Sequence, residues 1–288
     1  MLKNKIKIAL ITLVIAILFA TGAAFAAPMS YPSAYDAEPD SALFVGNSFF
    51  FYNNGIQKEV SAFARAGGND LRTNLLTISS SYLYWHDLNA YLQPGGVGSR
   101  PVLGKDGQVR IVSNSKKDNP YDLVIMMDNS NGPIGKASKE IFQDTAAEYS
   151  KIARAKGVKP VFFMSWAYTD RPEMTEPLAQ AYIKAAKANN ALLVPAGLAF
   201  ARVTKERPDI VLRIKDGRHP TPAGTYLAAA TIYATIYQKS PIQNTYNGSI
   251  DPQTAQYLKQ VAWETVREFY GLQAARPLGQ PIIRKSDD

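Results

Sequence analysis

The chain has 288 residues, a formal net charge of +8 from 32 Lys and Arg against 24 Asp and Glu, and no cysteine. The missing cysteines exclude a disulfide framework, a thiolate metal site and a thiol nucleophile. The positive charge is not gathered into a dense Lys/Arg cluster with interleaved aromatics, which argues against a nucleic-acid partner; a solvated basic surface and an affinity for anionic surfaces or polymers both fit it.

Residues 1–26 have the layout of an export signal. Lys3, Lys5 and Lys7 form a basic start, Ile8 to Ala20 an apolar core, and Ala24-Phe25-Ala26 a small-x-small cleavage site before Ala27. The core is short for a membrane span, and no later run is long and apolar enough to make one. The expectation is cleavage and a periplasmic or secreted protein without stable membrane insertion; an uncleaved anchor is the alternative. Cleavage leaves 262 residues with three fewer lysines and a charge of +5, enough for one large α/β domain over 27–273 with a tail over 274–288.

The mature chain opens on a polar, Pro- and Tyr-containing stretch, Ala27 to Asp40. Ala42 to Val45 then reads as a short buried strand that stops at Gly46, followed by a helix from about Asn54 to Arg65. Leu71 to Ile78 is a second strand and Tyr82 to Leu92 a helix. Gln93 to Gly107 is a long loop rich in Gly and Pro, and Val109 to Val112 a short excursion strand. Tyr121 to Met127 is a continuous apolar run suited to a strand buried on both faces. Lys136 to Lys156 is a long amphipathic helix capped by Gly157, and Pro160 to Met164 the next strand. Glu176 to Asn189 and Leu198 to Lys205 are helices on either side of a strand at Leu192 to Pro195. Pro222 to Tyr237 and Pro252 to Tyr270 are the last two helices. Strands that alternate with helices predict an α/β fold, a three-layer α/β/α sandwich around a parallel sheet of about five strands.

Two segments carry chemistry. Gly46-Asn47-Ser48 places a serine hydroxyl at the carboxyl end of a strand. Far downstream stands Asp216-Gly217-Arg218-His219-Pro220, and His219 is one of only two histidines, the other being His86. Pro220 keeps His219 out of helical conformation, Thr221 is a cap and Pro222 a first helical residue. An Asp this close to a His in a fixed loop can orient the imidazole. Taken singly, each segment is also compatible with an ordinary turn or a solvated loop. Together, in this order, they resemble the SGNH (GDSL-type) hydrolase family, with its G-D-S first block and its D-x-x-H-P last block before a C-terminal helix. Asn47 stands where the family has aspartate.

The resemblance implies a flavodoxin-like SGNH fold and ester hydrolysis through an acyl-enzyme, with Ser48 as nucleophile, His219 as base and Asp216 as its orienter, and no cofactor. It also implies oxyanion donors from the Ser48 N–H, from an N–H after the second strand, where Ser80 is chosen although the family has glycine, and from the side chain of Asn129 after the strand ending at Met127. Asn131 is a rival to Asn129. His86 either touches substrate, as in a variant branch of the family, or is packed on an aromatic helix. The spacing of histidines and carboxylates matches no metal motif, and no nucleotide-binding glycine pattern occurs. Converging carboxylates of a glycosidase stay open. The expected substrate is a small-molecule or carbohydrate ester. A carbohydrate O-acyltransferase with the same triad, or a catalytically silent polysaccharide-binding protein of the cell envelope, are the alternatives.

Overall fold

The computed structural model describes residues 29–32, 35, 37–97, 99–103, 109–113 and 121–272, with the backbone alone for 99–103 and 109–113. The expected leader at 1–26 and the expected tail at 274–288 lie outside the described residues, as does part of the 93–107 segment. In chain order the strands are β1 (Ser41–Gly46), β2 (Arg72–Thr77), β3 (Ser99–Leu103), β4 (Val109–Ser113), β5 (Leu123–Met126), β6 (Lys159–Phe163) and β7 (Leu192–Val194). Five of them form one parallel sheet in the order β2-β1-β5-β6-β7. β1, β5 and β7 are buried along their whole length, as continuous apolar runs require when helices cover both faces. β2, with polar Arg72, Thr73 and Asn74, is the half-exposed edge.

The helices are α1 (Ser48–Phe51), α2 (Ile56–Ala66), α3 (Leu88–Tyr91), α4 (Lys139–Ala155), α5 (Thr175–Ala188), α6 (Ala196–Glu206), α7 (Pro222–Tyr237) and α8 (Pro252–Tyr270). α2, α6, α7 and α8 pack together as one layer; α3, α4 and α5 form the other. α7 is apolar on every side and is buried from Gly224 to Tyr237, as a helix enclosed by neighbours must be. Its alanines let α2 and α8 pack on it. Among the described residues no helix is long and apolar enough to cross a membrane.

Three local expectations need correction. The chain after Gly46 does not wait until Asn54 to turn helical. Asn47 caps a one-turn helix, α1, and Gly55, at φ +92°, resets the chain before α2 begins at Ile56. The segment 82–92 is not one helix. It is a 3₁₀ turn at Leu83–Trp85 and the short α3, capped by Asp87, with extended His86 between them. The excursion strand has a partner: β3 and β4 pair antiparallel with Ser99 opposite Ser113, a hairpin that forms its own sheet.

The start of α7 is fixed by close packing. A Cβ added at Gly224 would lie 2.2 Å from the Leu212 carbonyl oxygen, and that oxygen accepts from the Thr221 N–H at 3.0 Å. Glycine to alanine inside a helix ordinarily stabilises by up to about 1 kcal/mol. Here the sign reverses: Gly224→Ala is expected to destabilise by roughly 1–3 kcal/mol, the usual cost of overpacking. Urea unfolding of the variant, with a midpoint at or above wild type, would show that the backbone at Leu212 yields easily.

Candidate active site

The sheet order changes direction between β1 and β5, and in open α/β sheets the crevice beyond the carboxyl ends at such a point is where ligands bind. Register makes three loops start level there, because Gly46 is opposite Thr77 and Val45 is opposite Met126. One side chain ties them together. The buried Asn47 donates from Nδ2 to the carbonyls of Ser81 and Asp128, each at 3.2 Å, and accepts at Oδ1 from the Phe49 N–H at 3.3 Å. The first bond reaches the loop after β2, the second the loop after β5, and the third caps α1. Aspartate cannot replace it here, since a carboxylate has no proton to give two carbonyls.

On this base Ser48 Oγ lies 2.8 Å from His219 Nε2, and His219 Nδ1 lies 2.5 Å from Asp216 Oδ2. Asp216 Oδ1 accepts from the N–H groups of Arg218 and His219 at 2.8 and 3.0 Å, so the carboxylate closes its own turn. Partial burial works to raise the Asp216 pKa, but the bonds from the His219 ring and these two N–H groups outweigh it and hold the carboxyl below its ordinary value. The ring is therefore a donor at Nδ1 and an acceptor from Ser48 at Nε2.

Aromatic packing holds that ring. Tyr52 stacks on His219 with centroids 4.3 Å apart, and Phe49 meets it edge-on at 5.5 Å. Phe49 stacks on Trp166 at 4.8 Å, and Trp166 on Phe200 at 3.9 Å. Trp166 Nε1 also donates to the Arg218 carbonyl at 2.8 Å. The Thr169 N–H donates to the carbonyl of Gly217, which has φ +71°. The Asp-His loop is thus tied by hydrogen bonds to the segment after β6.

A pocket of about 170 Å³ opens at the serine, lined by Ser48, Ser80, Asn129, Ser130, Tyr168 and Arg218 among others. Among the described residues the N–H groups of Ser48 and Ser80 have no protein acceptor. Ser80 sits at φ +57°, the left-handed region that favours glycine, so serine holds here a conformation that costs it energy. Asn129 is oriented from both ends: Oδ1 accepts from the Asn131 N–H at 3.1 Å, and Nδ2 donates to the Ser80 carbonyl at 3.0 Å. One Nδ2 proton remains for the pocket. Asn131 does not line it.

Of the two readings of His86, the structure favours the packed one: His86 does not line the pocket. It is buried, with Nε2 at 3.0 Å from the Gly46 carbonyl and 3.1 Å from Ser81 Oγ. Burial lowers its pKa, more than the bond to Gly46 raises it, and the neutral ring donates from Nε2 to support the strand end before Ser48. Asp128 is a second buried support that the sequence did not single out. Its carboxylate accepts from the Leu83 N–H at 2.6 Å and joins the same two loops as Asn47. Burial pushes Asp128 up to about 6 against that bond and one from the Asn129 N–H. Arg218 and Tyr168 also went unread. Arg218 occupies a variable position of D-x-x-H, which gives it no signal of its own; the position of Tyr168 just beyond the strand that ends at Phe163 is the available signal. Among the described residues no group of His, Asp and Glu is placed to hold a metal ion.

Two outcomes follow from these supports. Asn47→Asp turns a carboxylate oxygen toward two carbonyls and is expected to destabilise by at least about 2 kcal/mol at pH 7. The loss should be smaller near pH 4, where the acid can donate once; equal thermal stability at pH 7 would dismiss the amide's role. For Asp128, the native state keeps its proton up to about pH 6 while the unfolded chain releases it near 3.8. The native state binds more protons between those values, so this group's contribution to stability falls as pH rises through them. Asp128→Asn does not titrate and should gain on wild type between pH 4 and 6, by up to about 3 kcal/mol. Parallel stability curves over that interval would contradict it.

No protein-family model matches the chain, and no curated protein does. Solved structures do. A DUF4886 family protein from Bacteroides uniformis superposes with a TM-score of 0.58 at 17% identity, covering 78% of this chain and 94% of that one. A candidate GDSL-like lipase from Parabacteroides merdae gives 0.52 at 14% identity, over 71% and 98%. An acetyl xylan esterase from Geobacillus stearothermophilus gives 0.50 at 16% identity, over 70% and 96%. At such identities the likeness is one of architecture, and with the strand order it establishes that this chain has the α/β fold of the GDSL-type, or SGNH, hydrolases.

Proposed function

We propose that the chain is an exported serine esterase that hydrolyses short acyl esters, including O-acyl groups on carbohydrate, with residues 1–26 as a cleaved leader, 27–273 as the hydrolase domain and 274–288 as a tail. The observation that carries the reading is the unbroken hydrogen-bond chain from Ser48 Oγ through His219 to Asp216, beside a pocket that Ser48, Ser80 and Asn129 line. Ser48 Oγ attacks the ester carbonyl carbon and His219 Nε2 takes its proton. Asp216 steadies the ring and the positive charge it acquires. The oxyanion that forms faces the N–H groups of Ser48 and Ser80 and the free Nδ2 proton of Asn129. Collapse breaks the C–O bond to the alcohol, which leaves with the proton from His219. Water, activated by the same ring, then releases the acid from Ser48.

The pocket, at about 170 Å³, is smaller than typical ligand pockets of roughly 300–1,000 Å³. It suits a short acyl group such as acetyl. The acetyl xylan esterase of the same fold is in keeping with such a group on a sugar. The basic start, apolar core and Ala24-Phe25-Ala26 support export to the periplasm or beyond.

The test is p-nitrophenyl acetate turnover by the purified protein and folded variants. Ser48→Ala and His219→Ala should each lower kcat by roughly 10⁴-fold or more, and the double variant should be little worse than either. Asp216→Asn should cost less, and Asn129→Ala about 10²–10³-fold in kcat with little change in KM. Mass spectrometry should find a fluorophosphonate adduct on Ser48. A folded wild-type protein with no adduct and no turnover on a broad ester panel would favour a silent binding protein instead.

A further inference from the structure

The pocket contains a cation that the proposed reaction does not use. Arg218 lines it beside Ser48 and His219. Its guanidinium lies over the Tyr168 ring, 4.6 Å from the centroid, and Tyr168 Oη is 2.7 Å from Ser130 Oγ, another pocket residue. The Arg218 backbone is held on both sides, by the bond from its N–H to Asp216 and by the bond from Trp166 Nε1 to its carbonyl. Yet among the described residues its guanidinium has no carboxylate partner and donates no hydrogen bond. The nearby Asp216 carboxylate is fully engaged with His219 and two N–H groups. The arginines elsewhere that stack on rings differ in this respect: Arg207 pairs with Asp209, and Arg213 donates to the Ala167 carbonyl. A planar fork of donors, oriented by an aromatic face and left without an anion, is suited to bind one.

We infer that Arg218 selects esters whose alcohol portion carries an anionic group, a carboxylate or a phosphate, near the scissile bond. This rests on the serine-esterase reading of the site. The side of the substrate is inferred from His219, which must hand its proton to the leaving oxygen: Arg218 adjoins His219 in the chain and lines the same pocket. The acyl group fills the small pocket, and the alcohol extends to the rim where the exposed guanidinium lies. For a carbohydrate substrate, the class is an O-acylated acidic sugar rather than a neutral one.

The discriminating measurement compares kcat/KM for 4-acetoxybenzoate with that for its neutral methyl ester, in wild type, Arg218→Gln and Arg218→Lys. Replacing the guanidinium should lower the anion-to-neutral ratio by roughly 10- to 100-fold, the worth of a charge-assisted pair. Lysine should restore part of it, and added salt should erode the wild-type ratio. A merely structural role for Arg218 would reduce both rates together and leave the ratio unchanged within about twofold, which would overturn the inference. In a second arm 4-acetoxyphenyl phosphate replaces the carboxylate; whichever anion shows the larger loss in Arg218→Gln is the one the site is built for. A third arm does not need turnover. Calorimetric titration of the Ser48→Ala protein with glucuronate and with glucose should show preference for the acid, lost in Ser48→Ala/Arg218→Gln. Should wild type hydrolyse no ester, the esterase reading fails while this arm still decides the anion site: charge-selective binding upholds it, and equal or absent binding of both sugars rejects it.

Discussion

The amide of Asn47 is the point on which this site depends. Its two donated bonds and one accepted bond hold the ends of three strands' loops in one arrangement, with the amide itself buried. One side of the pocket hangs from those loops: Ser48 is the next residue, Ser80 precedes the Ser81 carbonyl that Asn47 grips, and Asn129 follows the Asp128 carbonyl that it also grips. A buried network of this kind is favourable only when each member is satisfied. Asp128 and His86 complete it from below, one accepting from Leu83 and the other donating to Gly46. The result is a floor braced by buried hydrogen bonds, on which the N–H groups of Ser48 and Ser80 are left without a protein acceptor among the described residues.

The opposing wall is organised by a different force. The Asp216–His219 loop contributes no strand to the main sheet, and its position is set by packing and by a few bonds. A continuous run of rings, from Tyr52 through His219 and Phe49 to Trp166 and Phe200, fixes the imidazole plane. Stacked and edge-on rings are directional, so they hold the orientation of the imidazole as well as its location. The start of α7 packs so closely on the Leu212 carbonyl that only glycine fits at 224. Polar bonding thus makes the floor and aromatic packing makes the wall.

Much of the architecture was legible because parallel strands buried on both faces read as unbroken apolar runs. Leu123 to Met126 and Val161 to Phe163 are such runs, and their helices carry ordinary apolar stripes. The segment 82–92 misled because its aromatics suit a helix, while the inward bonds of His86 and the cap at Asp87 break it into two turns. Of the hairpin β3–β4 only the second strand is legible, because Val109, Ile111 and Val112 mark it while Ser99-Arg100-Pro101 in its partner interrupts any strand pattern. At the site, Ser48, Asp216 and His219 are legible through the resemblance of their two segments to the first and last GDSL-type blocks, and the structure brings Ser48 and Asp216 each within hydrogen-bonding distance of His219. Asn47 was noticed as a substitution and passed over, since the need for an amide appears only once two distant carbonyls converge on it. Ser80 was chosen by position, and its left-handed backbone explains why that place favours glycine.

The bond between Ser48 and His219 joins residues 171 positions apart in the chain. The floor of the pocket belongs to β1, β2 and β5, all present in the first half of the sequence, whereas His219 arrives on a loop held by the segment after β6 and followed directly by α7. Long-range contacts of this kind carry the largest loop-closure cost and mark slow steps of assembly. A chain emerging from its N-terminus therefore builds the floor of the pocket before it possesses His219. Ser48 stays without its hydrogen-bond partner until the last third of the polypeptide has folded onto it.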